Sequence, residues 1–146
     1  MMRDATEAPA GITIMRYAIA YIATAVVFLV ADMIWLGIVA KNFYRDNLDG
    51  LLLEQPSIPV AAAFYALYVV GVIIFAVAPA LREETWVTAA IYGALFGFFA
   101  YATYDLTNLA TLKDWPAVVS VVDLAWGTCV TAVAATGGYA ITQQFS

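Results

Sequence analysis

Charged residues stand so far apart in this chain that they divide it into four apolar runs. Between Arg16 and Lys41, Glu54 and Arg82, Glu84 and Lys113, and from Asp114 to the C-terminus, it runs for more than twenty residues with at most one charged side chain. A helix needs about 20 apolar residues to cross a bilayer, so four spans are expected, at about 17–39, 59–80, 86–112 and 116–141. Pro56 and Pro59 open the second and Arg82, Glu83 and Glu84 close it. Trp86 and Trp115 stand where the third and fourth begin, at the level where amphipathic rings anchor a helix. Short connections make consecutive spans antiparallel. The fold class is therefore all-α, an integral membrane four-helix up-down-up-down bundle, in one transmembrane domain over 1–146. Residues 1–15, rich in Ala, Thr and Pro, read as a mobile tail. The first span is longer than the roughly 7–15-residue apolar core of a signal peptide and lacks a cleavage site after it.

Composition excludes several functions. Hydrophobic residues make up 64% and charged residues 12% of the chain, against about 25% charged in soluble domains. A water-soluble enzyme is ruled out. With six Lys+Arg against eleven Asp+Glu the net charge is −5, which repels nucleic acid. The sequence contains no histidine, so haem held by His and other His-ligated metals are excluded and no cofactor is identified. The lone Cys129 has no internal disulfide partner. Polar chemistry falls to Asp, Glu, Tyr, Trp, Asn, Thr, Lys and Arg.

The long connection after the first span, KNFYRDNLDGLLLEQPSIP, carries Phe43, Tyr44, Leu48, Leu51 and Leu52. It reads equally as a short interfacial helix or a solvated loop. If side one holds both termini, Arg3, Arg16 and Arg82 lie there and Lys41, Arg45 and Lys113 lie on side two. With the two sides tied, the positive-inside rule does not choose between them. Arg16, abutting the first span, inclines the termini to the cytoplasm.

Three acids lie inside the spans: Asp32, Asp105 and Asp123. Each is expensive at mid-membrane, and intramembrane acids mark function by default. Asp32 precedes Lys41 by nine residues, Asp105 precedes Lys113 by eight, and Asp123 follows Trp115 by eight. At 1.5 Å per residue all three lie roughly 12–14 Å inside the side-two boundary. Helical spacing groups Asp32 with Phe28 and Trp35, Asp105 with Tyr101 and Asn108, and Asp123 with Ser120, Trp126 and Gly127. Tyr65 and Tyr68 of the second span stand at a depth from which their hydroxyls reach carboxylates. The expected site is a polar pocket open towards side two, with Asp32, Asp105 and Asp123 at its centre. Trp35, Tyr65, Tyr68, Tyr101, Tyr104, Asn108 and Trp126 line it. Three acids in low dielectric must share protons or attract cations. The bland alternative gives each Asp a separate indole or hydroxyl donor, so that the acids only hold the helices in register.

Smaller signals accompany these. The Gly93-x-x-x-Gly97 stripe, extended by Ala89, permits close helix approach and reads as internal packing before a homodimer seam. Gly137 and Gly138 are expected to loosen the end of the fourth span. Lys113 is expected to be a solvated loop lysine rather than a partner of Asp105 or Asp123. Asp32-x-x-Trp35 in the first span is echoed by Asp123-x-x-Trp126 in the fourth, which runs the opposite way.

The chain resembles the DUF2177 family of small bacterial membrane proteins from about residue 17 to 141. The resemblance rests on Asp32-x-x-Trp35-Leu36-Gly37, Phe43-Tyr44-Arg45, Tyr104-Asp105-Leu106-Thr107-Asn108 running into Lys113-Asp114-Trp115-Pro116, and Asp123-x-x-Trp126-Gly127. It implies a four-helix protein of the bacterial inner membrane and carries no reaction with it.

Three functional readings remain. The first is a ligand-binding or proton/cation-linked transport protein, whose Asp cluster takes a proton, a cation or a small hydrophobic or cationic ligand. Transport through spans of this length favours a homo-oligomer. The second is a membrane enzyme that uses carboxylate acid–base chemistry on a lipid, isoprenoid or quinone. A divalent metal on Asp32, Asp105 and Asp123 is its variant. The third is an accessory subunit of a larger membrane complex. The acidic cluster, without a recognised catalytic constellation, favours the first.

Overall fold

The computed structural model describes residues 10–145. Helix α1 (Ala10–Ile34) ends in a π turn at Trp35–Val39, and the short α2 (Phe43–Asn47) follows in the connection. Helix α3 (Ile58–Val72) passes through a second π turn (Ile73–Val77) into α4 (Ala78–Glu83), and α5 (Trp86–Thr111) and α6 (Ala117–Phe145) complete the chain. Four helical runs, Thr13–Val39, Ile58–Glu83, Trp86–Thr111 and Ala117–Phe145, are long and apolar enough to cross a membrane. The protein is an all-α membrane bundle.

Local sequence explains the boundaries. Pro59 sits in the first turn of α3, where its missing N–H has no helical partner to lose. Pro79 lies inside the second span, where its ring would collide with the carbonyl four residues back. The wider turn at Ile73–Val77 just before it relieves that clash. Glu84, left-handed at φ 56°, ends α4, and Thr85 Oγ1 accepts from the Val87 N–H at 3.2 Å to cap α5. Helix α1 starts at Ala10, so residues 10–15 belong to it instead of to the expected tail. They continue the apolar run after Pro9, and residues 1–9 lie outside the described residues. Helix α6 runs through Gly137 and Gly138 without loosening. A Cβ on Gly138 would overlap Thr24 Oγ1, so that glycine brings α6 against α1.

The most extensive contact is α5 against α6, followed by α1 against α6, and the second span closes the ring against α5, α1 and α6. Gly93 and Gly97 face inward. A Cβ on Gly93 would come within 2.9 Å of the Thr131 carbonyl oxygen, and one on Gly97 within 2.6 Å of Thr131 Oγ1 and closer still to the Gly127 carbonyl oxygen. The stripe is thus internal packing, which in lipid depends on close backbone approach. Phe28, Val69, Val72, Val77, Val119 and Val130 fill the core, while Met33, Ile38 and Leu67 are exposed on the outer face.

Candidate functional site

Each intramembrane acid is carried by a different long helix, and all are buried: Asp32 is 8%, Asp105 0% and Asp123 9% exposed. Asp105 and Asp123 meet where α5 crosses α6. Their carboxyl groups stand within hydrogen-bonding reach of each other, and no donor among the described residues reaches either carboxyl oxygen of Asp105. Ser120 Oγ donates to the Asp105 backbone carbonyl at 3.0 Å and accepts from Trp115 Nε1 at 3.0 Å, fixing the two helices at this level. One turn along α6, Gly127 leaves room for the Tyr101 ring, which any Cβ there would overlap.

Asp32 stands apart from this pair. It accepts from the Tyr65 hydroxyl and from Trp126 Nε1, the latter at 3.2 Å. Equal depth does not fix helix rotation, and α1 turns its acid towards α3 and Trp126. The expected three-acid cluster is therefore a pair with a separate, fully partnered third acid. Among the described residues no three acidic or sulfur side chains are grouped to hold a metal ion, so the three-carboxylate metal site has no geometry behind it.

An aromatic bridge joins the two acidic centres. The indoles of Trp35 and Trp126 stack with centroids 4.5 Å apart and planes 7° from parallel. Trp126 serves Asp32, whereas Trp35 Nε1 donates to the Tyr44 hydroxyl at 3.0 Å and Tyr44 donates to Asp123 Oδ1 at 2.5 Å. Each half of the echoed Asp-x-x-Trp motif thus sends its tryptophan towards the acid of the other helix. Tyr44 belongs to the site although it is absent from the set expected from the sequence. It lies on α2, which is followed by the buried Leu48, while Leu51, Leu52 and Leu53 beyond are exposed. The connection is thus a short helix fastened to the bundle.

Burial, followed by its hydrogen bond to Asp123, raises the Tyr44 phenol above its ordinary value near 10. A raised folded-state value means that the neutral phenol stabilises the fold below pH 10 and that this contribution is lost as pH rises beyond it. Tyr44→Phe is expected to cost about 1–3 kcal/mol at neutral pH, because Trp35 loses its acceptor and Asp123 a donor. It should also remove part of the alkaline loss of stability, which thermal unfolding in detergent from neutral pH to above pH 10 would show.

Beside the pair lies a cavity of about 390 Å³, lined by Phe64 and Tyr68 of α3, Ala100, Tyr101 and Tyr104 of α5, and Asp123. Phe64 and Tyr104 are exposed on the outer face, so its mouth opens sideways between the second and third spans. On side two, Tyr44 reaches Asp123 from the connection. Tyr68 does not donate to a carboxylate as expected; its hydroxyl pairs with Thr131 Oγ1 at 2.8 Å. The Tyr101 hydroxyl has no hydrogen-bond partner among the described residues and belongs to the cavity wall. Tyr104 also sets its ring edge-on to Trp115, with centroids 5.8 Å apart. Asn108 is half-buried and does not line the cavity. Lys41, Arg45 of α2 and Lys113 are exposed in the connections and form no ion pair with the acids among the described residues. Phe64 and Ala100 join the site only through the relative rotation of α3 and α5, which no pattern in either helix reveals.

Residues 17–140, which hold every group in this network, match the family described as predicted membrane protein (DUF2177). The chain belongs to the DUF2177 family. No curated protein and no solved structure matches it. This DUF2177 protein is a multi-pass membrane protein, and its site has to be interpreted from its own geometry.

Proposed function

We propose that this DUF2177 protein binds a small amphiphilic molecule from the bilayer and moves or presents it in a proton-linked manner. The observation that carries this reading is the Asp105–Asp123 pair, which no lysine or arginine among the described residues joins, beside an aromatic cavity with a lateral mouth. Two carboxyl groups in contact attract only when a hydrogen lies between them, so the pair is a device for holding a proton at mid-membrane. The cavity falls within the usual size range of small-molecule pockets and places one carboxyl group in a largely aromatic wall. Placement in the bacterial inner membrane, with the termini cytoplasmic, belongs to the same reading, and Arg16 at the side-one end of α1 supports it. A C-terminal green fluorescent protein fusion is then expected to fluoresce and an alkaline phosphatase fusion to be inactive; the reverse pattern would invert the topology.

Filling the cavity tests the binding reading directly. Ala100→Trp places an indole in the cavity wall, while Asp123→Asn keeps the shape and removes the ionisable group. Native mass spectrometry of protein released from its own membranes should show a bound amphiphile on the unaltered protein and none on Ala100→Trp. Identical occupancy in both would exclude the cavity as the binding site. A second reading rests on the 2.5 Å bond from Tyr44 to Asp123, an arrangement suited to acid–base chemistry. Under that reading the retained amphiphile differs in mass between the unaltered protein and Asp123→Asn.

A further inference from the structure

The lining of the cavity narrows the kind of molecule that the proposed binding reading, on which this inference rests, would admit. Four aromatic rings, Phe64, Tyr68, Tyr101 and Tyr104, line the walls, and the single carboxyl group among the lining residues is that of Asp123. Behind it Asp105 is wholly buried, with both carboxyl oxygens lacking a donor. Aromatic faces attract a cation through the ring quadrupole, most strongly where water is excluded. A carboxyl pair supplies the opposite charge once its proton leaves. Besides the carboxyl pair, the polar groups that the lining offers without a hydrogen-bond partner among the described residues are the phenols of Tyr101 and Tyr104.

We infer that the cavity is an exchange site for a lipid-soluble ammonium ion, which enters between the second and third spans and displaces the proton held by Asp105 and Asp123. The titratable groups around the site are neutral or acidic: Tyr44 from α2, bonded to Asp123, the cavity-lining Tyr68 from α3 and Tyr101 and Tyr104 from α5, and, beyond Tyr101, Asp32 from α1 with its donor Tyr65. No lysine or arginine among the described residues competes for the carboxylates. The exchange balances in charge, since one cation enters as one proton departs. Tyr44, already bonded to Asp123, is the group between the pair and side two. Binding should therefore weaken as pH falls, by about tenfold per unit once the pair is protonated.

The test uses the full chain in nanodiscs of zwitterionic lipid, titrated with dodecyltrimethylammonium and separately with dodecanol. Empty nanodiscs supply the baseline, and a pH dye in weak buffer reports protons. The ammonium is expected to bind saturably and at least about tenfold more tightly than dodecanol, releasing about one proton per cation. Asp123→Asn should abolish the proton release and weaken cation binding at least about tenfold. Asp105→Asn, assayed in parallel with folding checked by circular dichroism, gives the same answer if the first variant does not fold. Dodecanol binding as tightly as the ammonium, and lost in Ala100→Trp, would overturn the ammonium inference while leaving the binding reading in place. Cation binding without proton release would overturn the exchange. Binding of neither probe above empty nanodiscs would remove the inference and the cavity reading together.

Discussion

Gly97→Val is expected to cost the bundle about 3 kcal/mol, near the upper end of what overpacking a filled interface produces. The cause is the rigidity of what a side chain would meet there. A Cβ at position 97 runs into the Gly127 carbonyl oxygen and comes within 2.7 Å of Thr131 Cβ, so the helices must separate. Because α5 against α6 is the main seam of the molecule, separation also pulls Asp105 from Asp123 and the Tyr101 ring from Gly127. Gly37→Ala is the control, since nothing lies within 4 Å of a Cβ placed there, and its unfolding should match that of the unaltered protein. Thermal unfolding in one detergent measures both variants. A Gly97→Val protein as stable as the control would mean that α5 and α6 do not cross as described.

Trp126 is the second position where a large effect is expected. Its indole stacks on Trp35 and donates to Asp32, so removing it opens the aromatic bridge and leaves a buried acid with one donor fewer. Trp126→Ala should cost roughly 3 kcal/mol, at the low end for large aromatic truncations because the ring is only half-buried. Trp126→Phe retains a ring to stack and loses only the N–H, for which roughly 1–2 kcal/mol is expected. The difference between the two variants separates stacking from hydrogen bonding. Equal losses would assign the whole effect to the Asp32 bond.

The sequence makes some of this architecture readable and hides the rest for physical reasons. Charge spacing reveals spans because a helix in lipid must satisfy its backbone internally and keep ions out, and the four runs follow the gaps between Arg16, Lys41, Arg82 and Lys113. Depth along a helix is equally accessible, since rise per residue is constant, and the placement of Asp105 against Asp123 depends on it. Rotation about the helix axis is different. In the bilayer both the lipid face and the interior are apolar, so hydrophobic periodicity no longer marks which side faces in. That is why depth alone groups Asp32 with the other two acids although it bonds Tyr65 and Trp126, and why it pairs Tyr68 with a carboxylate although that hydroxyl bonds Thr131. Tyr44 escapes for another reason. A tyrosine in a polar connection has no periodic signal, and only the path of the Ala40–Ile58 segment over side two carries it to Asp123.

The Asp-x-x-Trp echo is visible in the sequence, but its meaning comes from the stacking. Antiparallel α1 and α6 place Trp35 and Trp126 face to face, and each indole N–H then points towards the acidic centre of the opposite helix. The same crossing separates a partnered acid, Asp32, from an unpartnered one, Asp105. Asp32 is satisfied by two donors, Tyr65 and Trp126. Asp105 has only another carboxyl group for company, and the proposed chemistry rests on it.

Everything proposed for the site depends on a proton held between Asp105 and Asp123 in the resting protein. Infrared spectroscopy of the protein in lipid at neutral pH reads that proton through the C=O stretch that a protonated carboxyl shows and a carboxylate does not. A protonated-carboxyl band is expected in the unaltered protein, absent from Asp105→Asn and disappearing as dodecyltrimethylammonium is added. A spectrum in which the unaltered protein and Asp105→Asn are identical in that region would overturn the shared proton and the exchange built on it.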